Sequence, residues 1–175
     1  MKREAVEIIK ILASAAMGAL IIIQFVTPMT VFGNSMEPLF SDRDYVVLYR
    51  YAYMRDKTPQ RGEIVVFRSH LLDKDGSNKK LVKRVIAVEG DKISIEDGDV
   101  FLNGELLEED YVKDGVTSGN VRPVTVPEGK VFCMGDNRLY SQDSRHSEVG
   151  MISEKDILGK VIFRLLPVKK AGKIE

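Results

Sequence analysis

The chain has one cysteine, two histidines and no surplus of either charge, since 26 lysines and arginines match 26 aspartates and glutamates. Each scarcity excludes something. A single thiol, Cys133, rules out an intramolecular disulfide, and two histidines are too few to build a Cys/His zinc cluster around it. No metal and no cofactor is expected. A net charge of zero argues against a dedicated nucleic-acid binder, which would carry a basic excess or stripe. There is no internal repeat and no low-complexity segment. At 175 residues the chain has room for one or two small domains, and one is the better reading. Cys133 lies in the strand-like run KVFCM, where a thiol reads as a small buried hydrophobe.

Charge is also missing locally. No charged residue occurs from Ile11 to Met36, and the core of that run reads ILASAAMGALIIIQFV. With Ile8 and Ile9 across Lys10 it reaches the length of a bilayer-spanning helix. Lys10 can snorkel to the headgroups, and Pro28 discourages helix beyond the run. A buried core helix would be shorter and carry a polar stripe. A cleaved signal sequence would place its small-x-small site after the apolar core, but Ala13-Ser14-Ala15 lies inside it. The run therefore reads as a permanent anchor, with residues 1–28 comprising a cytoplasmic N-terminus and a single span. Lys2, Arg3 and Lys10 precede the run and the next basic residue is Arg43. By the positive-inside rule, residues 29–175 lie on the outer side of a cell membrane.

Beyond the anchor, short β-branched runs dominate: 44–51, 63–67, 80–88, 92–96, 121–126, 130–134 and 159–167. Asn103-Gly104, between the apolar pairs of VFLNGELL, predicts a tight hairpin. ISEKDIL, 152–158, reads as helical with Ser153 as a candidate N-cap. Residues 69–80 and 113–120 read as mobile loops. The fold class is mostly β, one compact domain on a helical stalk.

Three segments could carry chemistry. In TVFGNSMEPLF, Ser35 stands between Gly33, which allows close backbone approach, and Pro38, which stiffens the following turn. A serine is a weak nucleophile without a base in reach. His70 and His146 are candidates for a triad with an aspartate. Lys83 is another, within LVKRVIAV. Alternation puts Lys83 on one strand face and Arg84 on the other, so one of the two cations is drawn inward. Only lysine can usefully deprotonate when buried. The third segment, GDNRLYSQDSR, holds Asp136, Arg138, Asp143 and Arg145. Two acid–arginine pairs there could lock the loop through charge-assisted hydrogen bonds and support a catalytic pair.

Together, GNSMEP, VKRVIAVEGD and GDNRLYSQDSR, in that order after an N-terminal span, resemble the type I signal peptidases. These are membrane-bound serine endopeptidases that remove signal peptides from exported proteins. The resemblance covers most of the chain, to about residue 165, and is nearest the short single-span Gram-positive forms. Ala87 and Glu89 stand where the family often has glycine and proline. The resemblance implies a Ser–Lys dyad, with Ser35 as nucleophile and Lys83 as base. It implies an oxyanion hole that uses the Ser35 amide, with a second donor sought near Gly33. Ser141 is implied as the residue that orients the lysine, and Asp143 with Arg145 as a supporting pair; Asp136, Arg138 and Arg84 are further supporting residues. An extended preprotein segment with an A-x-A-like site is expected to add as a strand between residues near 31–33 and 80–82. Val31, Phe32, Met36, Leu81 and Val82 are the candidate pocket walls, and the lipid bilayer is the other expected partner. Two other readings remain. A membrane-anchored β domain could bind a partner without catalysis, and a Ser–Lys self-cleaving repressor would need a DNA-binding module in place of the span.

Overall fold

The computed structural model describes residues 2–55, 57–113 and 115–174. Helix α1, Lys2–Phe25, contains the apolar stretch; Val6–Phe25 has a mean hydropathy of 2.2 and is long enough to cross a bilayer. The helix stops three residues before Pro28, which sits in the first strand, β1 (Val26–Thr30). That strand is the outer edge of its sheet, where the missing proline N–H costs no ladder bond.

Eleven further strands follow: β2 (Tyr45–Tyr49), β3 (Ile64–Leu72), β4 (Asn78–Ala87), β5 (Lys92–Glu96), β6 (Asp99–Leu102), β7 (Glu105–Leu106), β8 (Val121–Thr125), β9 (Lys130–Met134), β10 (Ile152–Ser153), β11 (Ile157–Leu166) and β12 (Gly172–Lys173). They form a large sheet in the order β1-β2-β11-β3-β4-β9-β10, with β12 beside β11, and a small sheet β7-β6-β5-β8. The fold is mostly β. Asn103 and Gly104 both take positive φ, 56° and 89°, and close the β6–β7 hairpin in the manner such a pair predicts.

Two expectations are corrected. The stretch 152–158 is not an α-helix: Ile152 pairs with Val131, residues 154–156 make one 3-10 turn, and Ile157 pairs with Phe67. Ser153 makes no side-chain capping bond. Here sheet pairing of the two isoleucines outweighs local helical preference. The stretch 69–80 is mostly hairpin, because β3 runs on to Leu72 and β4 begins at Asn78. The turn is only Asp73–Ser77, closed by Ser77 O accepting from Asp73 N at 2.8 Å. The Asn78 side chain donates to Ser69 O and the Ser69 hydroxyl to Lys79 O, tying the arms together.

Three apolar clusters fill the molecule. One, with Met36, Phe40, Val46 and Ile64, lies under the segment after β1. A second, with Val65, Phe67, Val85 and Cys133, lies along β3, β4 and β9. The third, with Ile86, Ile93 and Phe132, joins the small sheet to the large one. Because β4 contributes to all three, counting the partly buried Val82, it is covered on both faces.

Candidate active site

The chain leaves β1 into a loop, 31–44, closed at its base by Val31 N donating to Asp44 O and Arg43 N to Val31 O, 2.9 and 2.8 Å. Gly33 takes φ +84°, and its N–H donates to Asp42 Oδ1 at 2.7 Å. Met36 and Phe40 are buried one turn apart, with Phe40 N donating to Met36 O at 2.8 Å, and Ser35 precedes that turn, half-buried. The buried Met36 anchors the residue next to the serine in the core.

Lys83 reaches it. Its Nζ lies 2.6 Å from Ser35 Oγ. Lys83 is 2% exposed, and burial lowers its pKa from 10.5 to about 8. The Asp143 carboxylate pulls in the opposite direction, while the Arg145 guanidinium adds to the lowering. An amine that is about one-tenth neutral at pH 7 and half neutral at about pH 8 therefore sits in hydrogen-bond contact with a hydroxyl, the arrangement a general base needs. Neither histidine takes this place. His70 and His146 are exposed, and His146 Nδ1 faces the backbone N–H of Asp143.

The expectation that only one of the two adjacent cations turns inward is corrected. Arg84 is also buried, at 7% exposure, because both faces of β4 are covered. It donates from Nε and Nη2 to the two oxygens of Asp136, at 2.8 and 2.7 Å, and from Nη1 to Gly62 O. Its guanidinium lies 3.9 Å from the centre of the Tyr111 ring. This also changes the pairing expected within 135–145. Arg145 does pair with Asp143, by Nε and Nη2 at 2.8 Å each. Asp136 is taken by Arg84, and Arg138 turns instead to Glu109. Burial alone would raise the Asp143 carboxyl, but hydrogen bonds and charge from Arg145 hold it below the ordinary value.

Among the described residues no hydrogen bond joins Ser141 to Lys83. The buried Ser141 hydroxyl lies against Gly135 and beside the Asp143 carboxylate, whose charged form it favours. A Cβ built on Gly135 would fall 2.3 Å from Ser141 Oγ and 2.3 Å from Ser35 O, so only glycine fits between them. Gly33 cannot supply an amide to an oxyanion while Asp42 holds its N–H. Among the described residues no hydrogen bond engages the N–H of Ser35. The sequence reading also missed Asn137, whose backbone N–H donates to Ser35 O and whose side-chain nitrogen donates to Asn34 O, both at 3.0 Å. Asn137 was visible inside GDNR. Glu109 and Tyr111 had no such signal, being some 25 residues away in sequence.

A cleft of about 470 Å³ opens beside the pair. Val31, Phe32, Leu81 and Val82 line it, as do Gly33, Lys80, Tyr140 and Gln142. Met36 does not; at 1% exposure it belongs to the core. The β4–β9 ladder begins only at Arg84↔Met134, so residues 80–82 pair with β3 and present their other edge to the cleft.

The family described as "Signal peptidase, peptidase S26" matches residues 4–166. The chain is 33% identical to a signal peptidase I of Bacillus licheniformis, over 99% of this chain and 95% of that one. It is 33% identical to a probable signal peptidase I-2 of Synechocystis sp., over 79% of this chain, and spans 62% of that relative's length. Among solved structures it is similar to a signal peptidase I of Enterococcus faecalis V583, with a TM-score of 0.48 and 29% identity, covering 59% of this chain and 97% of that chain. From the family match along nearly the whole sequence and the near full-length Bacillus relative, the chain belongs to the signal peptidase family, peptidase S26, and is a hydrolase of that serine endopeptidase class.

Proposed function

We propose that the chain cuts signal peptides from exported preproteins with a Ser35–Lys83 dyad, while anchored in the cell membrane by a single helix. The observation that carries the mechanism is the 2.6 Å contact between Lys83 Nζ and Ser35 Oγ in a site that favours the neutral amine. Neutral Lys83 accepts the serine proton as Oγ attacks the scissile carbonyl. The Ser35 N–H stabilises the oxyanion. The resulting lysinium protonates the leaving amine, and water, deprotonated by the regenerated base, hydrolyses the acyl-enzyme.

The preprotein lies extended in the cleft and adds as a strand along residues 80–82, facing 31–33, with main-chain bonds giving affinity. Val31, Leu81 and Val82 form shallow apolar walls that suit small side chains, as in A-x-A-like sites. Asp143 and Arg145 support the base, Asp136 and Arg84 hold the neighbouring strand, and Ser141 packs beside Gly135. Residues 1–28 form the cytoplasmic N-terminus and span, and residues 29–175 work outside the membrane. Nine residue steps from Val26 to Ser35 allow at most about 30 Å of chain, so the serine acts where a signal peptide's cleavage site emerges.

The test is cleavage of a preprotein by detergent-solubilised enzyme. Ser35→Ala and Lys83→Ala are expected to fold and lose cleavage by at least about 10³-fold, while a His70→Ala/His146→Ala double variant keeps normal activity. A Lys83→Ala enzyme with normal cleavage would overturn the dyad. Absence of cleavage by the unmodified chain would instead favour a membrane-anchored binding domain.

A further inference from the structure

Behind the nucleophile lies a loop that no sequence motif marks. It joins β7 to β8, and its described residues, 107–113 and 115–120, reach from the small sheet to the 135–138 turn. Glu109 accepts from Arg138 with both oxygens, Nη1 at 2.7 Å and Nη2 at 2.5 Å. Thr117 Oγ1 accepts from the same Nη1 at 2.5 Å, and Arg138 Nε donates to Gly135 O at 3.1 Å. The Ser118 hydroxyl donates to Arg138 O at 2.9 Å. Lys113 N donates to Asp136 O, and its Nζ lies 2.6 Å from Glu37 Oε2, two residues past the serine.

The guanidinium of Arg138 is buried, so its planar fork is fixed by these partners rather than by water. The same turn touches the serine from behind. Asn137 N–H holds Ser35 O, and Gly135 leaves no room for a Cβ against that carbonyl. Loss of the Glu109 charge would take from a buried cation its bidentate partner, leaving only the pull of the nearby Asp136, and the arginine would shift from its present place. That shift would move the Gly135–Arg138 turn, and with it Ser35 relative to Lys83. The cleft walls at 31–33 and 80–82 are carried by the exit of β1 and by β4, and only the far rim, Tyr140 and Gln142, follows on from this turn.

We propose that Glu109 is a positioning residue for the cleavage reaction, acting through Arg138 and Asn137 on the placement of Ser35. The proposal rests on Ser35 being the nucleophile. It predicts a split between turnover and binding: displacement of the serine lowers kcat, while KM follows the strand walls at 31–33 and 80–82, which this turn does not carry. A purely structural role would lower the melting temperature and leave kcat intact.

The experiment uses the full chain in detergent and an internally quenched peptide with a small-x-small cleavage site. Glu109→Gln keeps the size of the side chain and removes its charge. It is expected to lower kcat about tenfold, as sub-ångström misplacement of a nucleophile does, with KM within about twofold of the original. Thr117→Val leaves the ion pair in place and is expected to lower kcat about threefold. In an Arg138→Lys background, Glu109→Gln should add almost nothing, because coupled residues are not additive. If Glu109→Gln does not fold, Thr117→Val carries the test. A folded variant with unchanged kcat, or with only KM altered, overturns the proposal. Ser35→Ala run alongside separates the two readings: if it still cuts, the nucleophile is wrong whatever Glu109 does.

Discussion

An amine kept from water prefers to be neutral, and under the proposed dyad this would decide the pH behaviour of the enzyme. Lys83 loses charge through about pH 8 rather than 10.5, so below pH 8 the neutral amine that the proposed proton transfer from Ser35 needs is the minority form. The acid limb of kcat/KM is expected to have an apparent pKa near 8 and a tenfold fall for each pH unit below it. A limb near 6.5 that disappears in His146→Ala would point to a histidine base instead. From the sequence alone, lysine and histidine stayed open as bases until the family resemblance was drawn. Alternation along β4 could place Lys83 on a face but could not say what covered that face. Cys133 was legible as a buried small residue; it is fully buried, and burial pushes its thiol up, keeping it protonated. Asn137 and Gly135 lay within a quoted motif, yet their roles depend on a contact with Ser35 from a hundred residues away.

At the scale of elements, β4 carries Lys83 and Arg84 side by side, and its neighbours meet the cost of burying both. Arg84 is matched by the Asp136 carboxylate in bidentate geometry. Arg84→Ala would strand a buried carboxylate and is expected to destabilise the fold by about 3–5 kcal/mol. Arg84→Met combined with Asp136→Leu should cost much less, because no charge is left unpaired. Urea unfolding of the purified variants measures both; equal losses would show that packing, not charge compensation, dominates. Strand positions were largely readable, since β-branched runs and the Asn103-Gly104 turn are local signals. The misreadings at 152–158 and 69–80 share one cause. Ile152 and Ile157 are claimed by Val131 and Phe67 across the sheet, and polar residues at 78–80 are held extended by β3. Cross-strand pairing of this kind leaves no mark on the paired residues themselves.

At the scale of the whole molecule, the apolar helix and the catalytic domain meet at one short junction, where Phe25 O accepts from Arg50 N and the Phe25 ring packs on Tyr51. Catalysis and tethering should therefore separate. Removal of residues 1–23 is expected to leave hydrolysis of a short soluble peptide within about threefold, and to slow cleavage of a membrane-embedded preprotein by about 10²-fold or more, through lost effective concentration. Equal losses on both substrates would mean that the helix is needed for the fold itself. The apolar run, the strand pattern and the three polar segments with their family order could be read directly, because each depends on residues near one another in sequence. Tertiary structure alone decided the distant partners: that Asp136 takes Arg84 and Glu109 takes Arg138, which glycine must stay bare against Ser35, and that Glu109 stands behind that serine. Arg84 and Asp136 are 52 positions apart and Arg138 and Glu109 are 29 apart, and a buried charge takes whichever partner the packed core brings within reach, wherever in the chain that partner lies.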